Sequence, residues 1–266
     1  MTSEELLYTA MRQSAEDIGC SPDDFLSDRN IVIPIRRGRN ARRYLEDPIP
    51  AAFVSYGSNV VAAASEDILD TVREYTARFT FYHLFETPNL HWLDNRLAPD
   101  GYAVCFMAEY FLPVTAQLPV PPCSFPMRVL GPSDFEGLYV PEWSNALCRD
   151  RRHLDVLGVG AFDGENLIGL AACSADCDSM WQIGVDVLPA WRRNGIAAAL
   201  TAKLAREILE RGRVPFYCCA WSNIRSVRTA LRSGFRPAWA EMTVKPVAVV
   251  QKMNEKQEGR LNASGV

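Results

Sequence analysis

Apolar and polar residues follow helical and strand periods in turn along the first part of the chain. Apolar positions recur every three to four residues over 3–18 and 66–79, which predicts two amphipathic helices. Between them, β-rich runs at 51–56 and 60–64 flank a Gly-Ser-Asn turn and predict a hairpin. The remaining predicted elements of this part are a short strand at 31–35, a short helix near 90–97 and an apolar strand at 102–110.

After residue 126 the same periods predict elements in the order β-α-β-β-β-α-β-α-β. Pro132 to Glu136 open the first helix, and the Asp-Gly pair at 163–164 is the turn signal of a hairpin. The predicted strands are 127–130, 156–162, 167–174, 180–188, 214–221 and 236–245, and the later helices are 195–211 and 223–233.

Four prolines crowd the stretch between these two parts, at 113, 119, 121 and 122. Proline removes a backbone donor and fixes φ, so regular structure is expected to stop there. The sequence therefore predicts an N-terminal α/β domain at 1–112, a proline-rich linker at 113–126 and a second domain at 127–246. Residues 247–266 are predicted to be a frayed polar tail.

Positive charge is concentrated near the C-terminal end. Residues 190–246 hold eleven Lys and Arg against three acidic residues, a net +8, which leaves −12 for the rest of a chain whose total is −4. Such a local field suits a small polyanion better than a nucleic-acid duplex, so no nucleic-acid partner is expected. A solvated basic helix face is the open alternative. A second basic cluster, 36–43, is interpreted as a solvated loop.

Cysteine and histidine usage predicts neither disulfides nor a metal site. The eight cysteines form no CxxC pair and no secreted-type framework, and the chain has three histidines. No run approaches the ~20 apolar residues that a membrane helix needs, and the acidic N-terminus is followed by no apolar leader core. The chain is therefore predicted to be soluble and cytoplasmic, without a membrane partner.

The junction between the predicted strand 180–188 and helix 195–211 is the strongest candidate for a binding site. Apolar residues recur every four positions from Ile196 to Ile208, so one face of this helix is buried. Its first turn is small or aliphatic and offers no side chain to cap the free amides. Those amides and the helix macrodipole favour an anion, and Arg192–Arg193 stand directly before them.

Three motifs lie around this junction. Arg192-x-x-Gly195-x-Ala197 is preceded by Val185-Asp186-Val187-Leu188-Pro189 and followed by Asn223 with Ser226, and then by Gly234-Phe235. Together they resemble the motifs of the GNAT superfamily of acyl-CoA-dependent N-acyltransferases. In that family the first is a phosphate-binding signature, the second is the strand that pairs with the pantetheine arm, and the third is a second signature of the fold. The resemblance covers about residues 127–246.

The resemblance implies an α/β (α+β) fold with a mixed, largely antiparallel central sheet flanked by helices, and an N-terminal α/β domain that is a lid or a degenerate GNAT-like half. It implies direct transfer of an acyl group from acetyl-CoA, or another acyl-CoA, to a primary amine of a small molecule or peptide. No metal is implied, and a homodimer is left open. The implied cofactor-binding residues are Val185, Val187, Arg192, Arg193, Asn194, Gly195, Ile196, Ala197, Ala198 and Asn223.

The resemblance leaves the proton-transfer groups open. Seven positions after the asparagine, many family members have a tyrosine that protonates the leaving thiolate, whereas this chain has Ala230. Tyr217, Ser226 or a water molecule are the alternatives for that role. Asp186 is the first candidate for the general base, and capping a loop or pairing with an arginine is its alternative role. The other candidates for the base are Glu241, His83 and Glu86. The missing tyrosine favours a second function, a non-catalytic acyl-CoA sensor.

Overall fold

The computed structural model describes residues 1–43 and 49–263, and the chain divides into two compact units. Unit 1 consists of residues 1–13 and 109–238, and unit 2 of residues 14–108 and those from 239 onward. The predicted cut at 113–126 differs from this division because long-range strand pairing assigns the ends of two strands to different units. Residues 114–126 contain no helix or strand, as their prolines predict.

Unit 1 is built on a mixed, largely antiparallel sheet in the order β4-β9-β8-β7-β6-β5. Its strands are β4 (Tyr102–Pro113, from Glu109 in this unit), β5 (Met127–Leu130), β6 (Asp155–Asp163), β7 (Asn166–Ser174), β8 (Met180–Val187) and β9 (Val214–Cys219). The β8–β9 pair is parallel and the other four pairs are antiparallel. The predicted hairpin of β6 and β7 and the predicted sheet type are confirmed.

Two helices of unit 1 bound the region of interest, α4 (Ile196–Glu210) and α5 (Ile224–Arg232). The apolar face predicted for α4, from Ile196 to Ile208, is buried against the sheet. Gly169 of β7 permits this close packing, since a Cβ there would lie 2.9 Å from Ile196. The absence of a side chain at one strand position therefore helps to fix where α4 begins.

Two segments have a different secondary structure from the one that the sequence predicts. Pro132–Phe135 forms a short 3-10 turn instead of opening a helix, and Gly137 follows closely. Residues predicted as a frayed tail form α6 (Val247–Ala263). Their polar residues include Gln, Lys and Glu, which are good helix formers, so polarity alone did not indicate irregular structure. No helix in residues 1–43 and 49–263 is long and apolar enough to cross a membrane.

Unit 2 has a sheet in the order β1-β3-β2-β10. Its strands are β1 (Ile31–Pro34), β2 (Ala51–Ser55), β3 (Val61–Ala64) and β10 (Phe235–Pro246, from Trp239 in this unit), and its helices include α2 (Leu69–Arg78) and α3 (Thr87–Leu97). The predicted hairpin is confirmed by the antiparallel β2–β3 register. Helix α1 (Ser3–Ile18) is divided between the units after Gln13.

A buried ion network in unit 2 overturns the interpretation of residues 36–43 as a solvated loop, at least for Arg42. Arg42 is 3% exposed, and its guanidinium forms ion pairs with Asp17 and Glu241. The indole N–H of Trp239 donates a second hydrogen bond to Glu241, at 2.8 Å. Glu241 is thus engaged in a structural network, which does not support its candidacy as a general base.

Candidate functional site

A cleft of about 1080 Å³ opens in unit 1 beside the first turn of α4. Its walls are the end of β8, the turn that connects β8 to α4, and one face of α5. Twelve of the thirteen site residues predicted from the sequence line it, and Asn194 is the exception. Their proximity is a structural finding, while their individual roles stay predictions. Glu241, His83 and Glu86 belong to unit 2 and are not among the residues that line this cleft.

The cleft lies where two parallel strands separate. The described register of β8 and β9 runs from Met180 opposite Val214 to Ile183 opposite Tyr217 and ends there. Residues 184–187 of β8 continue to pair with β7 on their other side. Divergence of two strands exposes backbone groups that would otherwise be paired within the sheet.

Two residues of this open edge direct their backbone groups away from β7. Leu188 donates its N–H to the carbonyl of Ile168 in β7, at 3.0 Å. Because backbone groups alternate sides along a strand, those of Val185 and Val187 face the separated edge. Consistently, the carbonyl of Val187 accepts a hydrogen bond from Nε of Arg192, at 2.9 Å. An extended ligand that carries amide groups could pair with this edge as a further strand does.

The turn before α4 presents unpaired amides to the cleft. Arg193 and Gly195 both have left-handed backbones, with φ of 70° and 75°. Asn194 donates from Nδ2 to the carbonyl of Trp191 at 3.2 Å, so its side chain stabilises the turn. Helix α4 has no side-chain cap, and within the described residues the amides of 193–198 have no acceptor. Amides in this arrangement bind anions.

Gly195 is required by its backbone conformation and not by crowding. A Cβ at this position would meet no atom within 4 Å. A left-handed backbone nevertheless costs an L-residue about 1–2 kcal/mol. The open space in front of Gly195 leaves room for a ligand atom next to the amides.

Five arginines make the cleft strongly positive. They are Arg192, Arg193, Arg225, Arg228 and Arg232. Among residues 1–43 and 49–263, none of the five forms an ion pair with a carboxylate within 4.0 Å. Arg225, Arg228 and Arg232 contribute to the basic excess that the sequence shows at 190–246, but the sequence alone does not place them at the cofactor site. Low-dielectric walls lined by one sign of charge concentrate a counter-ion.

The carboxylate of Asp186 holds a loop against β8. One oxygen accepts the backbone N–H groups of Asn145 and Ala146 at 2.8 and 2.9 Å, and the other accepts Nδ2 of Asn145 at 2.6 Å. Gly184, two residues earlier on the same face, gives the loop its space, since a Cβ there would lie 1.8 Å from the carbonyl oxygen of Asn145. This geometry favours the loop-capping role of Asp186 over a role as general base.

A pair of hydroxyl groups also lines the cleft. The hydroxyl of Tyr217 is 2.6 Å from Oγ of Ser226. The side chain of Asn223 accepts the N–H of Ser226 at 3.2 Å and so caps α5. Burial raises the pKa of Tyr217 to about 12, and the hydrogen bond to Ser226 partly opposes this. Ala230 is fully buried in the core, so its position on α5 does not face the cleft.

An acidic side chain that sequence reasoning missed lies near this pair. Glu109 is directly opposite Cys219 in the β4–β9 register, and burial raises the pKa of its carboxyl. Cys219 in turn contacts Ser226. In the sequence, Glu109 is a single acidic residue within an apolar strand, which could have indicated a functional role. The sequence places this strand in the N-terminal domain and so away from the predicted site. None of the eight cysteines, all within the described residues, forms a disulfide, and Cys218 accepts a hydrogen bond from Gln182.

Comparison with known families identifies the segment that contains the cleft. Residues 141–239 match the family model described as GNAT acetyltransferase. This range includes β6 to β9 and both α4 and α5. No curated protein matches the chain.

Solved structures provide further similarities. A putative acetyltransferase of the GNAT family from Novosphingobium aromaticivorans is 23% identical, with 54% of this chain and 66% of that chain covered and a TM-score of 0.39. A GCN5-related N-acetyltransferase-like protein from Streptococcus suis is 18% identical, with coverages of 88% and 97% and a TM-score of 0.46. A putative acetyltransferase from Salmonella typhimurium, solved with acetyl-CoA, is 15% identical, with coverages of 47% and 94% and a TM-score of 0.36.

Proposed function

We propose that the protein transfers an acyl group from acetyl-CoA, or another acyl-CoA, directly to a primary amine of a small molecule or peptide. The match of residues 141–239 to the GNAT acetyltransferase family model supports this proposal. One observation carries the proposal. The cleft joins an open strand edge to uncapped helix amides and five arginines. An extended, amide-containing arm that ends in a polyphosphate has the same succession of groups.

The residues around the cleft fit this donor in order. The backbone of Val185 and the N–H of Val187 would pair with the pantetheine amides, and the amides of 193–198 would hold the pyrophosphate. The amide nitrogen of Asn223 would bond the arm near its thiol end, because its oxygen already caps α5. When bound, the thioester supplies an activated acyl group that an amine can attack without an acyl-enzyme.

The hydroxyl pair would complete the transfer. Tyr217 would donate its proton to the departing sulfur, and the proton that the attacking amine loses would replace it, relayed through solvent and Ser226. A raised pKa keeps Tyr217 protonated at neutral pH, as a proton donor must be. This arrangement supplies the hydroxyl that Ala230 lacks. It therefore favours an enzyme over a sensor that binds acyl-CoA without turnover.

Release of free thiol from acetyl-CoA in the presence of a broad panel of amines tests the activity. Amine-dependent release is the expected result. Binding of acetyl-CoA without release over the whole panel would support the sensor instead. Absence of both binding and release would contradict the proposed function.

Substitution of Gly195 tests the site. Gly195→Glu places a negative charge beside the amides, and we expect acetyl-CoA affinity to fall at least about tenfold, or 1.4 kcal/mol. Gly195→Gln is the matched control, because it has the same backbone strain and nearly the same shape without the charge. Gly212→Glu is a second control, since Gly212 also has a positive φ and open space but lies beyond the end of α4. Equal affinity in the Gln and Glu variants would contradict an anion site.

We also propose a cytoplasmic location. Eight cysteines without a disulfide, two of them adjacent in sequence at 218 and 219, suit a reducing compartment. Measurement of the thiol content of protein isolated from its native source would test this location, and a disulfide-linked form would contradict it.

A further inference from the structure

Helix α5 presents an unbroken arginine face to the cleft. Arg225, Arg228 and Arg232 stand at i, i+3 and i+7, which places them on one side of the helix. All three line the cleft, together with Thr229 from the same face. The helix contains no acidic residue. No carboxylate of α5 itself therefore neutralises the arginine face.

On and beside the neighbouring helix α4, two solvent-exposed arginines pair with glutamates. On α4, Arg206 pairs with Glu210 at 3.9 Å, and the adjoining Arg211 pairs with Glu207 at 2.9 Å. Within the described residues, the arginines of α5 have no such carboxylate. The arginines of α5 therefore differ from the paired, solvent-exposed arginines on and beside α4. This difference favours a ligand-binding face on α5 over the solvated basic face that is the alternative from the sequence.

The placement of these arginines is unfavourable for an isolated helix. Arg225 lies in the first turn of α5, where the macrodipole disfavours a cation. Arg228 and Arg232 are one helical turn apart, and like charges at that spacing repel each other. An anion bound across the face would remove both penalties. The arrangement is thus better explained by a ligand than by the stability of the helix.

The proposed donor carries a phosphate group besides the pyrophosphate that the turn before α4 would bind. Arg192, Arg193 and the uncapped amides match the pyrophosphate of an acyl-CoA, and the arginines of α5 remain. Coenzyme A also carries a 3′-phosphate, a monoester with a charge of about −1.5 to −2 at neutral pH. Arginine binds such a group through paired, charge-assisted hydrogen bonds.

We propose that the arginine face of α5 binds the 3′-phosphate of the acyl donor. The protein then selects 3′-phosphorylated donors over thioesters that lack this group, such as dephospho-CoA or a pantetheine attached to a carrier protein. This inference rests on the proposed function, because it concerns the same cleft. Arg228 and Arg232 are its specificity-determining residues.

Calorimetric titration of the whole protein with CoA and with dephospho-CoA tests the inference. We expect dephospho-CoA to bind at least about tenfold more weakly, as the loss of one charge-assisted hydrogen bond predicts. Adenosine 3′,5′-bisphosphate and AMP, which differ only in the 3′-phosphate, serve as shorter probes, and the bisphosphate should bind more tightly. Equal affinities within each pair would overturn the inference and leave the proposed function intact. If neither CoA nor dephospho-CoA binds, the proposed function fails and the inference fails with it.

Arginine variants assign the effect to the helix. Arg228→Gln with Arg232→Gln should lower the affinity for CoA to that for dephospho-CoA, while the affinity for dephospho-CoA changes little. Arg206→Gln, on an exposed part of α4 outside the cleft, is the matched control and should preserve the difference between the two nucleotides. A double variant that still discriminates between them as the native protein does would overturn the assignment to α5.

Discussion

The hydroxyl of Tyr217 lies 2.6 Å from Oγ of Ser226, and both residues line the cleft of unit 1. Tyr217 comes from β9 and Ser226 from the first turn of α5, so the pair spans a strand and the helix that follows it. Asn223 fixes this geometry by capping α5 through the N–H of Ser226. The pair therefore provides a preorganised hydroxyl in the lining of the cleft, which the buried Ala230 does not.

Replacement of Tyr217 by Phe should lower kcat for amine acylation by about 10²-fold or more, the range for loss of a general acid. Affinity for acetyl-CoA should change little, because the ring and its packing are retained. Steady-state kinetics together with calorimetric binding separate these two effects. Unchanged kcat in a folded variant would exclude Tyr217 as the proton donor.

The pH profile provides a second test of the same residue. Burial raises the pKa of Tyr217 to about 12, so the hydroxyl stays protonated through the neutral and mildly alkaline range. Ionisation of Tyr217 should therefore produce no loss of kcat between about pH 6 and 10. An alkaline decrease with a midpoint near 9 that disappears in Tyr217→Phe would contradict the raised pKa of Tyr217.

Asp186 should prove to be a positioning residue and not a base. Asp186→Asn removes the charge and leaves one acceptor oxygen for the three N–H donors of Asn145 and Ala146, which should cost about 1–3 kcal/mol of unfolding free energy. Urea unfolding measures this loss. The kinetic effect should be mainly on KM, with kcat little changed. A large loss of kcat with full stability would show that Asp186 is the base.

The elements that form the cleft could be predicted because their signals are local. The apolar period from Ile196 to Ile208 and the glycine at 195 specify α4 and its uncapped start within a few residues. The partners of Asp186 could not be predicted in this way. Asn145 lies 41 positions away, and no local pattern connects the two.

Long-range pairing also explains why the predicted domain division differs from the compact units. Glu109 of β4 pairs with Cys219, while Met242 of β10 pairs with Phe53. Both strands continue across the positions at which the units divide. Proline content marked the irregular segment at 114–126 correctly, but irregular backbone does not have to coincide with a boundary between cores.

Arg42 should be a major determinant of stability in unit 2. Arg42→Met leaves Asp17 and Glu241 buried without their cation, and loss of one partner from a buried ion network costs about 3–5 kcal/mol. Arg39→Met is the matched control, because Arg39 belongs to the same basic cluster and is exposed. Chemical unfolding of both variants measures the difference. A similar, small effect of the two substitutions would contradict a structural role for Arg42.

Asp155 should make the stability of unit 1 depend on pH. Its side chain is 3% exposed and accepts the N–H of Cys148 at 2.9 Å. Burial raises the pKa of its carboxyl from 3.8 to about 6, while hydrogen bonds from Cys148 and Tyr139 and the charge of Arg151 partly oppose this. The folded state therefore binds a proton more tightly than the unfolded state. Stability from this group is present below about pH 4 and is lost as the pH rises to about 6.

Asp155→Asn removes that loss, because the amide stays neutral and its oxygen can still accept the N–H of Cys148. The variant should gain about 1–3 kcal/mol relative to the native protein between pH 4 and 7, from a shift of roughly two pKa units. Urea unfolding at several pH values measures the difference. Asp163→Asn, at the exposed end of β6, is the control. A difference between native protein and Asp155→Asn that is constant over this pH range would show that the carboxyl of Asp155 titrates alike in the folded and unfolded states.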